Sequence, residues 1–141
     1  MNHWLVKSEP TKWSWDDQVK AGTTHWDGVR NAQATINLKA MRNGDRVFFY
    51  HSNEGKEIVG VVEVTKEFYL DPNDPTGRFG MVDVAAVEKL PRPVTLAEIK
   101  ADPKLANILL VRQSRLSVMP IPPADWRHIA ALGGLKGAAA S

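Results

Sequence analysis

Thr24-His25-Trp26-Asp27-Gly28-Val29-Arg30-Asn31 is the stretch that most constrains the fold, because it combines a tight turn with the start of a helix. Asp27-Gly28 predicts the turn, since glycine accepts the positive φ that such turns require. Asn31 is typical of a helix N-cap, and residues 32–41 are compatible with a helix. A turn that enters a helix points backbone N–H groups and a positive dipole end towards whatever lies in front of it.

Two side chains of this stretch, Trp26 and Arg30, are of the types that stack on flat rings. They are equally compatible with a structural role, in which Trp26 anchors the core and Arg30 pairs with Asp27. Tryptophan is concentrated near the N-terminus, which indicates a shared aromatic region that is either core or a ring-binding pocket. Four of the five tryptophans lie in the first 26 residues: Trp4, Trp13, Trp15 and Trp26.

The chain has 141 residues, a net charge of +2 and no cysteine. This length predicts one domain, here residues 1–135, followed by a disordered tail over 136–141. The lack of cysteine excludes disulfides, thiolate zinc sites and a cysteine nucleophile. The weakly basic balance permits a polyanionic partner. No apolar run is long enough to span a membrane and no signal-peptide pattern is visible, so we expect a monomeric cytoplasmic protein without membrane contact.

The order of predicted elements favours an α+β fold. Strands are predicted over 3–7, 46–52, 58–68, 79–90 and near 118, and helices over 14–20, 31–41, 95–102, 105–110 and 123–132. Pro91-Arg92-Pro93 is expected to break the sheet. Because the long strands are neighbours joined by hairpin-type loops, we expect a mixed or antiparallel sheet of five or six strands, curled into a barrel and flanked by short helices.

The sequence gives little sign of catalysis. His51-Ser52 places a base beside a hydroxyl, and Asp27 or Asp83 is a candidate to orient His51, but adjacent strand residues point to opposite faces. No Gly-x-Ser-x-Gly elbow or glycine-rich phosphate loop is present. No metal or cofactor is expected, because the histidines show no ligand spacing. The four histidines are His3, His25, His51 and His128.

Recognition of a flat ring fits the residue types better. Trp26 and Tyr50, with one early tryptophan, suit a sandwich around a planar base. The alternative places Tyr50 in the core beside Phe48 and leaves the arginines on a solvated face. Candidate groups for the edge of the base are Ser8, Asn31, His51 and Ser52. Candidate groups for phosphate, expected around the mouth of the pocket, are Lys7, Arg30, Arg112 and Arg115.

Four separated motifs resemble the EVE domain family, in the family's order and over residues 4–132. They are Trp4-Leu5-Val6-Lys7-Ser8-Glu9-Pro10, Trp26-Asp27-Gly28-Val29-Arg30-Asn31, Phe49-Tyr50-His51-Ser52 and Arg115-Leu116-Ser117-Val118. The resemblance implies a PUA-like fold, a curled β-barrel with short helices that is related to the YTH readers of methylated adenine. It also implies a pocket for a modified nucleobase and no known catalysis.

By this resemblance, Trp26 is a stacking wall, Arg30 and Asn31 form the turn–helix side of the pocket, and Ser8 lies at its rim. The strand side consists of Tyr50, His51 and Ser52. The function expected is a non-catalytic module that binds a modified nucleobase in DNA or RNA. Two alternatives remain: a small enzyme that acts on a nucleoside or nucleotide with His51 as its base, and a module that binds a peptide in an aromatic groove.

Overall fold

The first strand lies inside the sheet rather than at its edge, which explains its nearly complete burial. The computed structural model describes residues 1–140, and Ser141 lies outside the described residues. The strands are β1 (His3–Ser8), β2 (Thr23–Trp26), β3 (Arg46–His51), β4 (Glu57–Leu70), β5 (Gly80–Thr95) and β6 (Val118–Pro120). The helices are α1 (Trp15–Ala21), α2 (Ala32–Ala40), α3 (Leu96–Ala101), α4 (Leu109–Arg112), α5 (Pro123–Leu132) and a 3-10 turn at Gly137–Ala140.

The six strands form one mixed sheet in the order β2-β5-β4-β3-β1-β6. Strands β1 and β3 are parallel and the other neighbouring pairs are antiparallel. Helix α2 contacts β6 at one edge as well as β4 and β5, so the sheet curves around it. The edge strands β2 and β6 do not pair with each other within residues 1–140. The prediction of a mixed or antiparallel sheet of five or six strands with short helices is confirmed by the six-stranded mixed sheet, although the curled sheet does not close into a barrel.

Strand β2 was not predicted. Thr23–Trp26 pairs antiparallel with β5, with Trp26 opposite Val82. The turn that follows it was predicted: Gly28 has φ +76, and the Asn31 side chain accepts a hydrogen bond from the Ala34 N–H at 2.9 Å. The stretch from Thr24 to Asn31 is therefore a strand, a turn and a helix cap in direct succession.

Strand β5 continues past the two prolines that were expected to end it, so that prediction was wrong. The pairing with β4 jumps from Gly60↔Lys89 to Ile58↔Val94. Residues 90–93 therefore bulge out of the ladder, where a proline has no ladder N–H to lose. The N–H of Arg92 donates instead to the carbonyl of Gly133, at the end of α5.

Two smaller expectations near the C-terminus also differ from the structure. The helix predicted over 105–110 begins four residues later, as α4, because residues 102–108 form successive turns. The disordered tail over 136–141 stays a prediction: Gly137–Ala140 form the short 3-10 turn, and Ser141 lies outside the described residues. No helix among the described residues has the length and apolar character needed to cross a membrane.

The aromatic residues of β3 take part in two ring clusters within one continuous core. Phe48 stacks on the fully buried Trp126, with ring centroids 3.7 Å apart. The rings of Trp15 and Trp26 each pack edge-on against Phe49, with ring centroids 5.4 and 5.5 Å from the Phe49 centroid. Trp4 takes part in neither ring cluster. Its indole N–H donates to the Asp45 carboxylate at 2.9 Å. The expected shared aromatic region thus exists, but without Trp4.

Candidate functional site

A cavity of about 540 Å³, here called the aromatic cavity, opens where the end of β1 faces the turn between β2 and α2. Strand β1 and the loop after it contribute Lys7, Ser8, Glu9, Lys12 and Trp13. Strand β2, the following turn and the loop before β6 contribute Thr24, His25, Trp26, Asp27, Gly28, Val29, Arg30 and Ser117. Of the stretch that the sequence singled out, residues Thr24 to Arg30 therefore form one side of the cavity.

Trp26 is a fixed wall of the aromatic cavity. Its side chain is only 8% exposed, and its ring packs edge-on against Phe49. Gly28, two residues later, has a positive φ that an L side chain adopts with strain, so the turn beside the wall favours glycine. Trp26 is thereby held before any ligand arrives, which limits the conformational entropy lost on binding.

Trp13 is the early tryptophan that the structure brings to the same cavity. The hydroxyl of Ser8 donates to the Trp13 carbonyl, and the Trp13 indole N–H donates to Gln18 Oε1 at 3.0 Å. Ser8 thus lines the cavity, with its hydroxyl proton already bonded to the backbone. The sequence offered Trp13 no distinction from Trp4 or Trp15, because its place depends on the turn after β1.

A cluster of three polar side chains at the rim was missed by the sequence reasoning. Asp83 Oδ1 lies 2.8 Å from His25 Nδ1 and accepts from the Tyr69 hydroxyl. Burial opposes ionisation of Asp83, but the hydrogen bonds from His25 and Tyr69 outweigh it and lower its pKa. Burial and the adjacent Asp83 raise the pKa of Tyr69 to about 12. Asp83, once a candidate partner of His51, therefore orients His25.

The raised pKa of Tyr69 gives a testable pH dependence. In a Tyr50→Phe variant, Tyr69 is the remaining tyrosine. We expect its hydroxyl to stay protonated at pH 10, where a free phenol is half ionised. Asp83→Asn should lower the midpoint towards 10, since the negative acceptor that stabilises the neutral phenol is lost. Ultraviolet absorbance of the phenolate measures the midpoint, with circular dichroism as the folding control. An equal midpoint with and without Asp83 would contradict the contact.

Arg30 reaches the cavity through a stack on a third element. Its guanidinium carbon lies 4.6 Å from the centroid of the Phe79 ring. Phe79 is held in turn by Asp74, whose carboxylate accepts the N–H groups of Thr76, Arg78 and Phe79. These bonds, with one from the Thr76 hydroxyl, strongly lower the pKa of Asp74. The ordered loop over 71–79 therefore positions the arginine.

Tyr50, Ser52 and Arg115 line a neighbouring cavity of about 490 Å³, here called the cationic cavity. Tyr50 is 3% exposed, and Lys7 Nζ lies 5.9 Å from its ring centroid. Lys7 lines both cavities and therefore lies between them. The structure thus brings Trp26, Ser8, Arg30 and Lys7 together and places the other three one cavity away, so Tyr50 does not face Trp26 across one pocket.

Three further candidates lie outside both cavities. The backbone N–H of Trp15 donates to His51 Nε2 at 3.0 Å, and burial lowers the pKa of His51. Asn31 caps α2 and lines a shallow hollow of about 310 Å³, here called the outer hollow, together with Arg112 and Arg115. Arg112 also borders a cavity of about 610 Å³ near Trp4 that contains none of the predicted base-contacting residues. Lys7, Arg112 and Arg115 were expected together around the mouth of one pocket, but the structure distributes them over several cavities.

The polar groups of the site do not form a metal centre. Within residues 1–140, no group of three or more histidine, aspartate or glutamate side chains is placed to hold a metal ion. What the aromatic cavity offers is flat indole surface, a carboxylate at Asp27, the His25 imidazole and cations at the rim. These groups suit a flat, polar-edged ring attached to an anion.

The chain matches a family model and several solved structures. The EVE domain model matches residues 2–132. Rpa0253 from Rhodopseudomonas palustris is 51% identical, with a TM-score of 0.91 over 95% of this chain and 94% of that one. Human THYN1 in complex with DNA containing 5-methylcytosine is 33% identical, with a TM-score of 0.87 over 97% of this chain and 100% of that one.

A more distant structure shares the fold alone. The YTH domain of MRB1 from Zygosaccharomyces rouxii is 16% identical, with a TM-score of 0.59 over 94% of this chain and 86% of that one. The resemblance drawn from the four sequence motifs is confirmed, because the family model spans all of them. The chain belongs to the EVE domain family.

Proposed function

We propose that this protein is a non-catalytic reader that binds a modified nucleobase of DNA or RNA in the aromatic cavity. The observation that carries the proposal is the pairing of Trp13 and Trp26 in one cavity with cations at its rim. The relationship to human THYN1, whose structure contains 5-methylcytosine DNA, supports the same ligand class. The cavity volume of about 540 Å³ is in the range of small-ligand sites.

Stacking supplies part of the affinity. A base on an aromatic side chain gains about 1–3 kcal/mol, which is comparable to the few kcal/mol needed to extrude a base from a duplex. Polar contacts must therefore add to the stack. Asp27 is exposed at the cavity and can accept from an exocyclic amino group, as acidic side chains do with cytosine N4. A base that carries an amino group fits this edge.

The non-catalytic part of the proposal is supported by the state of His51. A general base needs a free lone pair within reach of substrate, whereas His51 Nε2 accepts the Trp15 N–H. The lowered pKa of His51 keeps the imidazole neutral and the bond intact. His51 thus links β3 to the start of α1 through a hydrogen bond. The alternative function, an enzyme with His51 as its general base, is therefore not supported by this contact.

Residues 1–135 are proposed to act as one monomeric domain. The helices pack on a single sheet with a continuous apolar core that extends from Trp4 to Leu135. The bulge of β5 joins the end of α5 through the Arg92 N–H and the Gly133 carbonyl. These contacts support a single domain over residues 1–135.

Selectivity for the modification is the decisive test. Indole surface tolerates every base, so we expect discrimination to come from the edge contacts and from the space left for a substituent. Burying one methyl carbon contributes about 0.8 kcal/mol, a factor of roughly four, and a bonded hydroxyl adds about 1 kcal/mol. A modified base should bind several-fold to tens-fold tighter than its parent, measured by calorimetry on matched oligonucleotides. Equal affinities across a broad panel of modifications would overturn the proposal.

A further inference from the structure

The cationic cavity has no role in holding the base itself, yet it opens beside the aromatic cavity. The two cavities share Lys7, Glu9 and Ser117 in their walls. The outer hollow, by contrast, shares no lining residue with the aromatic cavity. A chain attached to a bound base therefore finds a continuous path past Lys7 into the cationic cavity.

The charge of the cationic cavity is strongly one-sided. Four cations from four separate elements line it, and Glu9 is the one carboxylate among its lining residues. The four are Lys7 of β1, Lys56 of the β3–β4 turn, Lys100 of α3 and Arg115 of the loop before β6. Like charges gathered from distant parts of a chain repel one another, and an anion in the cavity relieves that repulsion.

Most of these cations are available to a ligand. Lys56, Lys100 and Arg115 are exposed, and none of them forms an ion pair within residues 1–140. Lys7 is different, because its ammonium donates to the Ser114 carbonyl at 2.7 Å and is held in place. Lys7 therefore fixes the junction of the two cavities, while the other three present unpaired charge to the cationic cavity.

We infer that the cationic cavity holds the phosphodiester backbone of the nucleotide adjacent to the base in the aromatic cavity. This inference rests on the proposed function, and it assigns Lys56 and Lys100 to phosphate contact. The strand leaves the aromatic cavity past Lys7 and runs between the β3–β4 turn and α3. Glu9, 3.3 Å from Lys12, lies where the phosphate passes and weakens its binding.

The salt dependence of binding tests the route. The probe is a single-stranded hexanucleotide of thymines with one central 5-methylcytosine, compared with its cytosine counterpart and with the free nucleoside 5-methyl-2′-deoxycytidine. Lys56→Gln and Lys100→Gln should each reduce the slope of log affinity against log salt by about 0.7, the value for one single-strand phosphate contact. Glu9→Gln should raise hexanucleotide affinity several-fold. Arg127→Gln, an exposed charge on α5 outside the cavities, is the matched control.

The outcomes separate this inference from the proposed function. Unchanged slopes in Lys56→Gln and Lys100→Gln overturn the route, and a loss of slope in Arg112→Gln instead places the backbone in the outer hollow. Nucleoside affinity should be the same in Lys56→Gln, Lys100→Gln and Arg112→Gln, because the nucleoside has no phosphate and none of these residues lines the aromatic cavity. Equal binding of the two hexanucleotides, with the slopes still reduced, contradicts the reader function and supports the route. A hexanucleotide that does not bind the wild-type protein overturns both.

Discussion

Trp26→Ala is expected to remove detectable binding of an oligonucleotide that contains a modified base, and of its unmodified parent. Trp26 is a wall of the aromatic cavity and the proposed stacking surface, so its truncation should cost the stack and open the cavity to water. The stack alone is worth about 1–3 kcal/mol, up to a factor of roughly 100 in affinity. Calorimetry or tryptophan fluorescence measures the loss.

The chain provides a matched control for this variant. Trp15 is buried like Trp26 and packs edge-on against the same Phe49 ring, but it does not line the aromatic cavity. Leucine keeps part of the apolar volume at either site while removing the flat ring, so Trp26→Leu and Trp15→Leu are compared with circular dichroism as the folding control. We expect Trp26→Leu to lose binding and Trp15→Leu to keep it. Binding that survives in Trp26→Leu would contradict the assigned site.

Gly60→Ala should destabilise the protein by about 3 kcal/mol, a fall in melting temperature of roughly 6–12 °C. A Cβ at this position would lie 2.4 to 2.6 Å from three ring atoms of Trp15, well inside contact distance. The ring cannot withdraw easily, since Trp15 packs on Phe49 and its N–H is bonded to His51. The backbone of Gly60 is itself paired on both sides within the sheet. Thermal and denaturant unfolding measure the change.

A double-mutant cycle isolates the clash as the cause. In a Trp15→Leu background the obstructing ring is gone, and Gly60→Ala should cost less than about 1 kcal/mol, because alanine suits a strand interior better than glycine. The same cost in both backgrounds would show that something other than the indole excludes a side chain. The cycle uses unfolding alone, so its result is independent of any ligand.

Features that depend on interactions within a few residues, such as helix caps and turns, could be predicted from the sequence. The Asn31 cap and the positive φ at Gly28 both appear as predicted, because each depends on neighbours within one turn. The four motifs of the resemblance identified the family over nearly the whole chain. Those motifs also named Trp26, Ser8, Arg30 and Lys7, which the fold brings to one cavity.

Features that depend on pairing between strands far apart in the sequence could not be predicted. Strand β2 is four residues long and exists because β5 lies beside it, which no local pattern of Thr23–Trp26 announces. Pro91 and Pro93 are normally signs of a strand end, but the bulge removes the ladder bond that a proline would break. The contacts of His25 with Asp83 likewise join residues that lie far apart in sequence on paired strands.

The central position of β1 shapes how the molecule must fold. Trp4 pairs on one side with Val47 of β3 and on the other with Pro120 of β6, so its neighbours arrive late from distant parts of the chain. Such non-local pairing slows folding, and until β6 docks, β1 presents an apolar strand with open N–H and C=O groups to other chains. The finished edge is better protected: β6 is three residues long and ends in Pro120, which has no N–H to offer a foreign strand. Aggregation is thus a hazard of the incomplete sheet, and the pairing of β6 with β1 removes that hazard.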